Sequence, residues 1–203
     1  MKLHYLPGAC SLASHIALRE AGARFDLDKL DNASKKTESG EDFLAINPKG
    51  YVPALALDSG DVLTEGAAIL QYIADQHPES GLAPAAGTLE RVRLQEHLEC
   101  IGTEWQQGFS PLFKNDSSEA EKESARKKVR EKLDQIDRLL SDGRSFLQGD
   151  RFTVADAYLF TIANWTGPTG IGLDGWPHVA AFCERIAARE AVQQALKAEG
   201  LAA

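Results

Sequence analysis

The fold is decided by the stretch Tyr51-Val52-Pro53-Ala54-Leu55-Ala56-Leu57, which runs into Asp58-Ser59-Gly60 and then Asp61-Val62-Leu63. The apolar residues of 51–57 predict a strand, Asp58-Ser59-Gly60 predicts a turn, and 61–63 is the expected hairpin partner. Residues 65–76 follow at once, with apolar side chains at helical spacing. An antiparallel hairpin that leads directly into a helix indicates a sheet covered by helices.

The residues before this hairpin extend the same pattern. Met1 to Tyr5 predicts a strand, 11–21 a helix that stops at Gly22, and 25–30 a second strand, whereas the polar segment 34–44 is weakly helical or loop. Alternating strands and helices of this kind predict a small α/β sandwich whose sheet mixes parallel and antiparallel strands.

The residues after the hairpin and its helix are different in character. Residues 77–87 contain two prolines and two glycines, which is typical of a linker. Beyond them only helical periodicity remains, in 89–108, 118–140, 153–165 and 178–196. We therefore expect an α/β domain over 1–78, a linker over 79–88 and an all-helical domain over 89–203.

Composition excludes several classes of protein. The chain has 203 residues and a formal charge of -8, and this acidity argues against nucleic-acid and anionic membrane partners, which need a basic surface. No apolar stretch approaches the roughly 18 residues of a membrane span, and the first residues lack the pattern of a signal peptide. We expect a cytoplasmic protein.

Cys10 is the most informative of the three cysteines. It follows Pro7-Gly8-Ala9 where a strand turns into a helix, so it faces the free N–H groups and positive dipole end that favour a thiolate. The alternative is a small core residue. Ser11 is either the N-cap of that helix or a second thiol-binding hydroxyl. Cys100 and Cys183 lie mid-helix beside apolar residues, which favours core packing.

Two further segments carry polar chemistry. In Asn47-Pro48-Lys49-Gly50-Tyr51-Val52-Pro53, a cis bond before Pro53 would turn backbone groups outward to pair with an extended peptide. In Leu63-Thr64-Glu65-Gly66, a helix start offers N–H groups to a carboxylate and Glu65 offers an acceptor to an ammonium, which suits the zwitterionic end of an amino acid. An acidic first turn with an adaptable glycine would look the same.

Other polar residues indicate folding chemistry. Thr153 and Asp156 have the spacing of a capping box before an apolar run. The five histidines have no metal-ligand spacing, so no metal site is expected.

Together these segments resemble the bacterial beta class of cytosolic glutathione S-transferases. The resemblance is carried by Tyr5-x-Pro7-Gly8-Ala9-Cys10-Ser11, Asn47-Pro48-x-Gly50-x-Val52-Pro53, Leu63-Thr64-Glu65-Gly66, Gly108-Phe109-x-Pro111-Leu112-Phe113 and Phe152-Thr153-x-Ala155-Asp156-Ala157-Tyr158. It implies a thioredoxin-like N-terminal domain, an all-helical C-terminal domain, a homodimer, and glutathione bound as co-substrate in the cleft between the domains.

The resemblance also implies roles for single residues. Cys10 would lie beside the glutathione sulfur, Val52 would pair with the cysteinyl moiety before a cis-Pro53, and Lys35 would meet the glycine carboxylate. Glu65 and Gly66 would hold the γ-glutamyl end, with help from Glu104 of the same or the facing subunit. The full implied set comprises catalytic Cys10 and Ser11; glutathione-binding Ala9, Cys10, Lys35, Tyr51, Val52, Pro53, Glu65, Gly66, Glu99, Thr103, Glu104 and Gln106; and, for a small hydrophobic electrophile, Phe109, Phe113 and Trp165. Core packing is the alternative for Phe113 and Trp165.

Two positions depart from the class. Its usual histidine and lysine are replaced by Gln106-Gln107, which removes a titratable base and a cation, and its frequent asparagine is Glu99. The expected activity is conjugation of the glutathione thiol to hydrophobic electrophiles in detoxification. The alternatives are a glutathione-dependent thiol-disulfide oxidoreductase or peroxidase that uses Cys10, and a non-catalytic binding protein.

Overall fold

The computed structural model describes residues 1–201. These residues form two compact units: unit 1 is Met1–Ala83 together with the chain from Ala188 onward, and unit 2 is Pro84–Ala187. No helix within 1–201 combines the length and apolar character needed to cross a bilayer.

Unit 1 is built on a five-stranded sheet with the order β3-β2-β1-β4-β5. The β1 and β2 strands pair in parallel, and every other neighbouring pair is antiparallel. The predicted mixed sheet is therefore confirmed. The elements are β1 (Lys2–Tyr5), α1 (Ser11–Glu20), β2 (Asp26–Asp31), β3 (Lys36–Thr37), α2 (Phe43–Ile46), β4 (Ala54–Ala56), β5 (Val62–Thr64), α3 (Gly66–Gln76) and α9 (Glu190–Ala198).

The core of unit 1 follows from the two-residue period of the strands. Leu3 of β1 lies opposite Leu55 of β4, and both are buried, as are Ile16 of α1 and Ile69 of α3. The α2 side of the sheet has its own small cluster around Phe43, whose ring lies 5.7 Å from that of His4.

The segment 34–44 is more ordered than its polar sequence predicts. It contains β3 and the start of α2, and the strand expected over 51–57 is confined to Ala54–Ala56. Local bonds explain the extra order: the Asp42 side chain accepts from the N–H of Leu44, and the N–H of Phe43 donates to the Lys35 carbonyl. Local hydrogen bonds of this kind leave no hydrophobic periodicity to detect.

Unit 2 is helical, as expected. Its helices are α4 (Leu89–Cys100), a π-helix (Ile101–Trp105), α5 (Gln106–Phe113), α6 (Glu119–Leu140), α7 (Val154–Ala163) and α8 (Pro177–Ala187). The helix predicted over 89–108 thus runs on to Phe113 through a π-helical segment. Hydrophobic periodicity does not reveal a π-helix, because one wider turn shifts the apolar stripe by only about one residue.

The helix predicted over 178–196 is two helices. Arg189 is extended between α8 and α9, and its guanidinium binds both carboxylate oxygens of Glu20 on α1 at 2.6 and 2.8 Å. Val192 and Ala195 of α9 are buried. The structure therefore groups α9 with unit 1, whereas the sequence suggested one helical domain over 89–203.

Asp156 forms the predicted capping box at the start of α7. One carboxylate oxygen accepts from the backbone N–H and the hydroxyl of Thr153, each at 2.8 Å, and the other accepts from the N–H of Leu147 at 2.8 Å. The side chain is completely buried. Burial outweighs these hydrogen bonds and raises the pKa of Asp156 to about 6.

This pKa predicts a pH dependence of stability. Because the folded pKa lies above the ordinary value of 3.8, the native state binds more protons between those values, and stability falls as pH rises through them. Asp156→Asn removes the titration. We expect the free energy of unfolding of wild type relative to Asp156→Asn, measured in urea, to fall by about 2 kcal/mol between pH 4.5 and 7.

Asp142→Asn is the matched control. The Arg144 guanidinium lowers the pKa of exposed Asp142 to about 2, outside that window, so its difference from wild type should stay constant. A difference for Asp156→Asn that is equally flat would contradict the prediction.

Candidate active site

Cys10 occupies the N-cap position of α1, directly after the turn at Pro7-Gly8. Its thiol donates to the carbonyl of Val52 at 3.2 Å. The thiol therefore lies at a helix start and against a loop that precedes β4. The first N–H groups of a helix have no partner within it, so an anionic sulfur is favoured near this position.

The N-cap interpretation of Ser11 is wrong. Cys10, not Ser11, is the N-cap, and Ser11 is completely buried. Its Oγ accepts from the N–H of Leu6 and donates to the Leu6 carbonyl, each at 3.2 Å. Both bonds hold the turn before α1, and the catalytic role of Ser11 stays a prediction.

The Asn47 loop, residues 47–53, is held by its own side chain. Asn47 is buried; its amide donates to the Tyr51 carbonyl at 2.7 Å and its oxygen accepts from the N–H of Lys49 at 3.2 Å. The Val52–Pro53 bond is cis, as the family resemblance implies. The Tyr51 side chain is 75% exposed, so only its backbone takes part in the loop.

Lys35 precedes this loop in the sequence and is bound to it through its side chain. Its ammonium donates to the Gly50 carbonyl at 3.1 Å and to Asn32 at 2.6 Å. Gly50 has φ +70°, and a Cβ there would lie 3.2 Å from Leu44. Glycine is therefore favoured at the residue whose carbonyl accepts from Lys35.

Glu65 stands at the start of α3, whose first residue is Gly66. Its carboxylate pairs with the ammonium of Lys49 at 2.5 Å, and both side chains are more than half exposed. Lys49 was not among the predicted site residues. Its position within the Asn47 loop was the available signal, but no pattern in the sequence connects it to Glu65.

Six of the eight predicted glutathione residues of unit 1 thus lie in or beside the Asn47 loop: Cys10, Lys35, Tyr51, Val52, Pro53 and, through Lys49, Glu65. Ala9 and Gly66 are the chain neighbours of Cys10 and Glu65. Within residues 1–201, Lys35 and Glu65 are also the two non-glycine residues with positive φ, at 56° and 70°. Such backbone costs about 1–3 kcal/mol per residue and clusters at functional sites.

The other predicted glutathione residues lie in unit 2, at the end of α4, in the π-helix and at the start of α5. The Thr103 hydroxyl donates to the Glu99 carbonyl at 2.8 Å, and both residues are exposed. Glu104 pairs with Lys132. Gln106 accepts a hydrogen bond from the hydroxyl of Tyr158, a residue that the sequence analysis did not assign to the site.

The three predicted electrophile residues form one aromatic cluster. Phe113 and Trp165 meet edge to face with centroids 5.3 Å apart, and Phe109 contacts Trp165 at 5.6 Å and Phe113 at 6.4 Å. Phe109 is buried, whereas Phe113 is 50% exposed. Half of an aromatic ring in solvent beside two others offers an apolar surface to a ligand.

Among residues 1–201, no three His, Cys, Asp or Glu side chains are arranged to hold a metal ion. Burial raises the pKa of the Cys183 thiol to about 12 and also raises that of half-buried Cys100. Both thiols are therefore protonated at neutral pH.

Comparisons with known proteins agree with this arrangement. Residues 8–76 match the family model of the glutathione S-transferase N-terminal domain, and residues 100–190 match that of the C-terminal domain. Glutathione S-transferase GstA of Escherichia coli O157:H7 is 48% identical over 99% of this chain and 100% of its own. The chain belongs to the glutathione S-transferase family.

Solved structures of this family support the class as well as the fold. The beta-class glutathione S-transferase of Sphingomonas chungbukensis is 51% identical, with a TM-score of 0.97 and full coverage of both chains. A sphingomonad glutathione S-transferase complexed with glutathione is 52% identical, with a TM-score of 0.96 and full coverage of both chains. The resemblance to the bacterial beta class and the expected fold, thioredoxin-like with a helical second part, are confirmed.

In this family member the Cys10 turn is also tied to the C-terminal segment. The carboxylate of Glu199 accepts from the N–H of Gly8 at 2.9 Å and lies 2.8 Å from Nδ1 of His15. Both side chains are completely buried. Arg19 donates to the other ring nitrogen of His15 at 2.8 Å, so Glu199 joins the turn before Cys10 to the body of α1.

Removal of this carboxylate should loosen the turn. Glu199→Ala removes a buried carboxylate that binds the Gly8 N–H and the His15 ring, which we expect to lower the free energy of unfolding by about 3 kcal/mol. Glu184→Ala, at an exposed glutamate of α8, is the control. Urea unfolding measures both, and equal losses for the two variants would contradict the prediction.

Proposed function

We propose that this chain is a glutathione transferase that joins the thiol of glutathione to small hydrophobic electrophiles. The observation that carries the proposal is the convergence of Cys10, Lys35 and Glu65 on the Asn47 loop. Glutathione is an extended tripeptide with a carboxylate at one end, a zwitterion at the other and a thiol between them. The three residues supply a partner for each part.

Each end of the tripeptide has a complementary group in unit 1. The ammonium of Lys35 suits the glycine carboxylate, because charge-assisted bonds to an ammonium are about twice as strong as neutral ones. Glu65 suits the γ-glutamyl ammonium, and the N–H groups at the start of α3 suit its carboxylate. The backbone of Val52 would pair with the cysteinyl moiety, which places the glutathione sulfur beside Cys10.

The chemistry then needs a thiolate close to an electrophilic carbon. The start of α1 favours the anionic sulfur, which attacks the electrophile: the S–C bond forms, and the leaving group departs with its electron pair. The thiol proton passes to solvent. Proximity and thiolate stabilisation supply most of the acceleration, and the aromatic cluster of Phe109, Phe113 and Trp165 would hold the electrophile.

A second reaction is favoured by the position of Cys10 itself. A thiol beside the glutathione sulfur can exchange with a glutathionyl disulfide: the Cys10 thiolate attacks one sulfur, the other leaves as a thiolate, and glutathione resolves the mixed disulfide. We keep this thiol-disulfide exchange as the second candidate function.

We further propose that the protein is a cytoplasmic homodimer with a detoxifying role, as the family resemblance implies. Glu99, Thr103 and Glu104 stay proposed glutathione contacts, and metal chemistry has no part in the reaction we propose.

Cys10→Ala separates the two reactions. We expect it to retain conjugation of a model aryl halide within about threefold, because thiolate stabilisation comes from backbone N–H groups and the α1 dipole, and to abolish reduction of a mixed glutathione disulfide. Cys100→Ala, at a half-buried thiol of α4, should leave both rates unchanged. Loss of conjugation in Cys10→Ala would place Cys10 in the conjugation step itself.

Lys35→Met tests the glycine subsite. We expect the Kd for glutathione to rise about tenfold, the value of one charge-assisted bond, but the Kd for glutathione monoamidated at glycine to stay the same. Titration calorimetry measures both. Lys36→Met, at the exposed neighbour on β3, is the control, and an equal loss with either ligand would refute the assignment. Absence of glutathione binding and of turnover in wild type would instead indicate a non-catalytic protein.

A further inference from the structure

Asp28, on β2 of unit 1, is a buried carboxylate that holds a turn of the backbone. It is 3% exposed, and its oxygens accept from the N–H of Ser39 at 3.1 Å and from the Ser39 hydroxyl at 2.7 Å. Hydrogen bonds to an ionised carboxylate are about twice as strong as neutral ones. Asp28 therefore fixes the Ser39 turn, residues 37–41, which lies between β3 and α2.

The surroundings of Asp28 keep it charged in spite of its burial. Burial acts to raise the pKa of Asp28, but the two bonds from Ser39 and the nearby charges lower that pKa overall. The Lys2 ammonium lies 3.6 Å from Oδ2 of Asp28 and 3.3 Å from Oε2 of Glu41. Nδ1 of His4 also lies 3.6 Å from Oδ2, and within residues 1–201 this buried nitrogen has no hydrogen-bond partner. The carboxylate thus directs its hydrogen bonds to the turn and not to the imidazole.

The Ser39 turn passes this constraint on to the chain that follows it. The Ser39 hydroxyl lies 2.9 Å from that of Thr37. Thr37 in turn pairs twice with Glu41: its N–H donates to the Glu41 carbonyl at 3.0 Å, and its hydroxyl accepts from the Glu41 N–H at 3.2 Å. The direction in which the chain leaves the turn is therefore fixed from Asp28.

Lys35 depends on that direction, because it is held at both of its backbone groups. Its N–H donates to the Asp31 carbonyl at 2.9 Å, and its carbonyl accepts from the N–H of Phe43, beyond the Ser39 turn, at 2.8 Å. The backbone of Lys35 has φ +56°, a conformation that persists only where the surrounding structure fixes it. A shift of the Ser39 turn would move the Phe43 N–H and let Lys35 return to an ordinary φ, which would turn its ammonium away from the Gly50 carbonyl.

We propose that Asp28 is a positioning residue for Lys35 and thereby a determinant of selectivity for the carboxylate of the glutathione glycine. Asp28 touches neither the ligand nor the reacting atoms, and it acts through the Ser39 turn and the backbone of Lys35. The inference rests on the proposed function, in which the Lys35 ammonium binds that carboxylate. A purely structural Asp28 would stabilise unit 1 without any preference between ligands.

Two ligands distinguish these roles in Asp28→Asn, which keeps the shape of the side chain and removes its charge. We expect the Kd for glutathione, measured by titration calorimetry, to rise about threefold to fivefold, because Lys35 then populates orientations that do not face the ligand. The Kd for glutathione monoamidated at glycine should stay the same. Ser39→Ala, at an exposed residue, removes one of the two bonds and should raise the Kd for glutathione about twofold. It carries the test if Asp28→Asn does not fold.

A double variant tests whether the effect passes through Lys35. In the Lys35→Met background, Asp28→Asn should cause no further rise in the Kd for glutathione, because changes that act through one shared contact are not additive. Ile73→Val removes one methyl group from a buried side chain of α3 and is the control for a loss of stability alone. It should leave both Kd values unchanged, and urea unfolding compares its stability with that of Asp28→Asn.

Three results would overturn the proposal. The first is an equal rise in Kd for glutathione and its monoamide in Asp28→Asn, which would indicate a purely structural role. The second is a Kd for glutathione that neither Asp28→Asn nor Ser39→Ala changes, and the third is an effect of Asp28→Asn that is as large with Lys35→Met as without it. If Lys35→Met itself changes neither Kd, the glycine subsite of the proposed function fails instead, which is a distinguishable outcome.

Discussion

The bonds that fix the Asn47 loop are the constraint on which the proposed glutathione subsite depends. The Val52 carbonyl accepts a hydrogen bond from the Cys10 thiol, and the Gly50 carbonyl accepts one from the Lys35 ammonium. Lys49 of the same loop pairs with the Glu65 carboxylate. Residues from three distant parts of the chain are therefore positioned by the same loop. Asn47 fixes the loop by hydrogen bonds to the backbone of Lys49 and Tyr51. Its amide therefore contributes two hydrogen bonds to the stability of the loop.

The net charge of the chain and the backbone conformations of Lys35 and Glu65 bear on how an acidic protein would bind the glutathione anion. The net charge of -8 offers no long-range attraction to glutathione, which is itself negative, so the attraction has to be local. Lys35 and Glu65 both have left-handed backbones, a conformation that side chains adopt at a cost of about 1–3 kcal/mol. That cost is offset where the surrounding bonds are numerous, and for Lys35 these bonds include the Gly50 carbonyl and Asn32.

The sequence was sufficient to predict those structures that a local pattern of residues determines. Alternating apolar residues and Asp58-Ser59-Gly60 predicted the hairpin, and Thr153 with Asp156 predicted a capping box, because each pattern is local. It was insufficient where the outcome depends on distant partners. The break at Arg189 is stabilised by Glu20, 169 residues away, and the short β3 strand depends on its pairing with β2. The capping alternative for Ser11 fails because Cys10 takes the N-cap position and Leu6 binds the Ser11 hydroxyl.

The glutamine that departs from the class illustrates the same limit at a single side chain. In the sequence, Gln106 replaces the usual histidine of the class, so a group that titrates near neutral pH is missing. From the structure, it is an oriented donor, because a buried tyrosine binds its oxygen. An amide has nearly the same shape in both orientations, so its orientation here is decided by a partner 52 residues away. The charge of this amide does not depend on pH, whereas a histidine at the same position would carry a group that titrates near neutral pH.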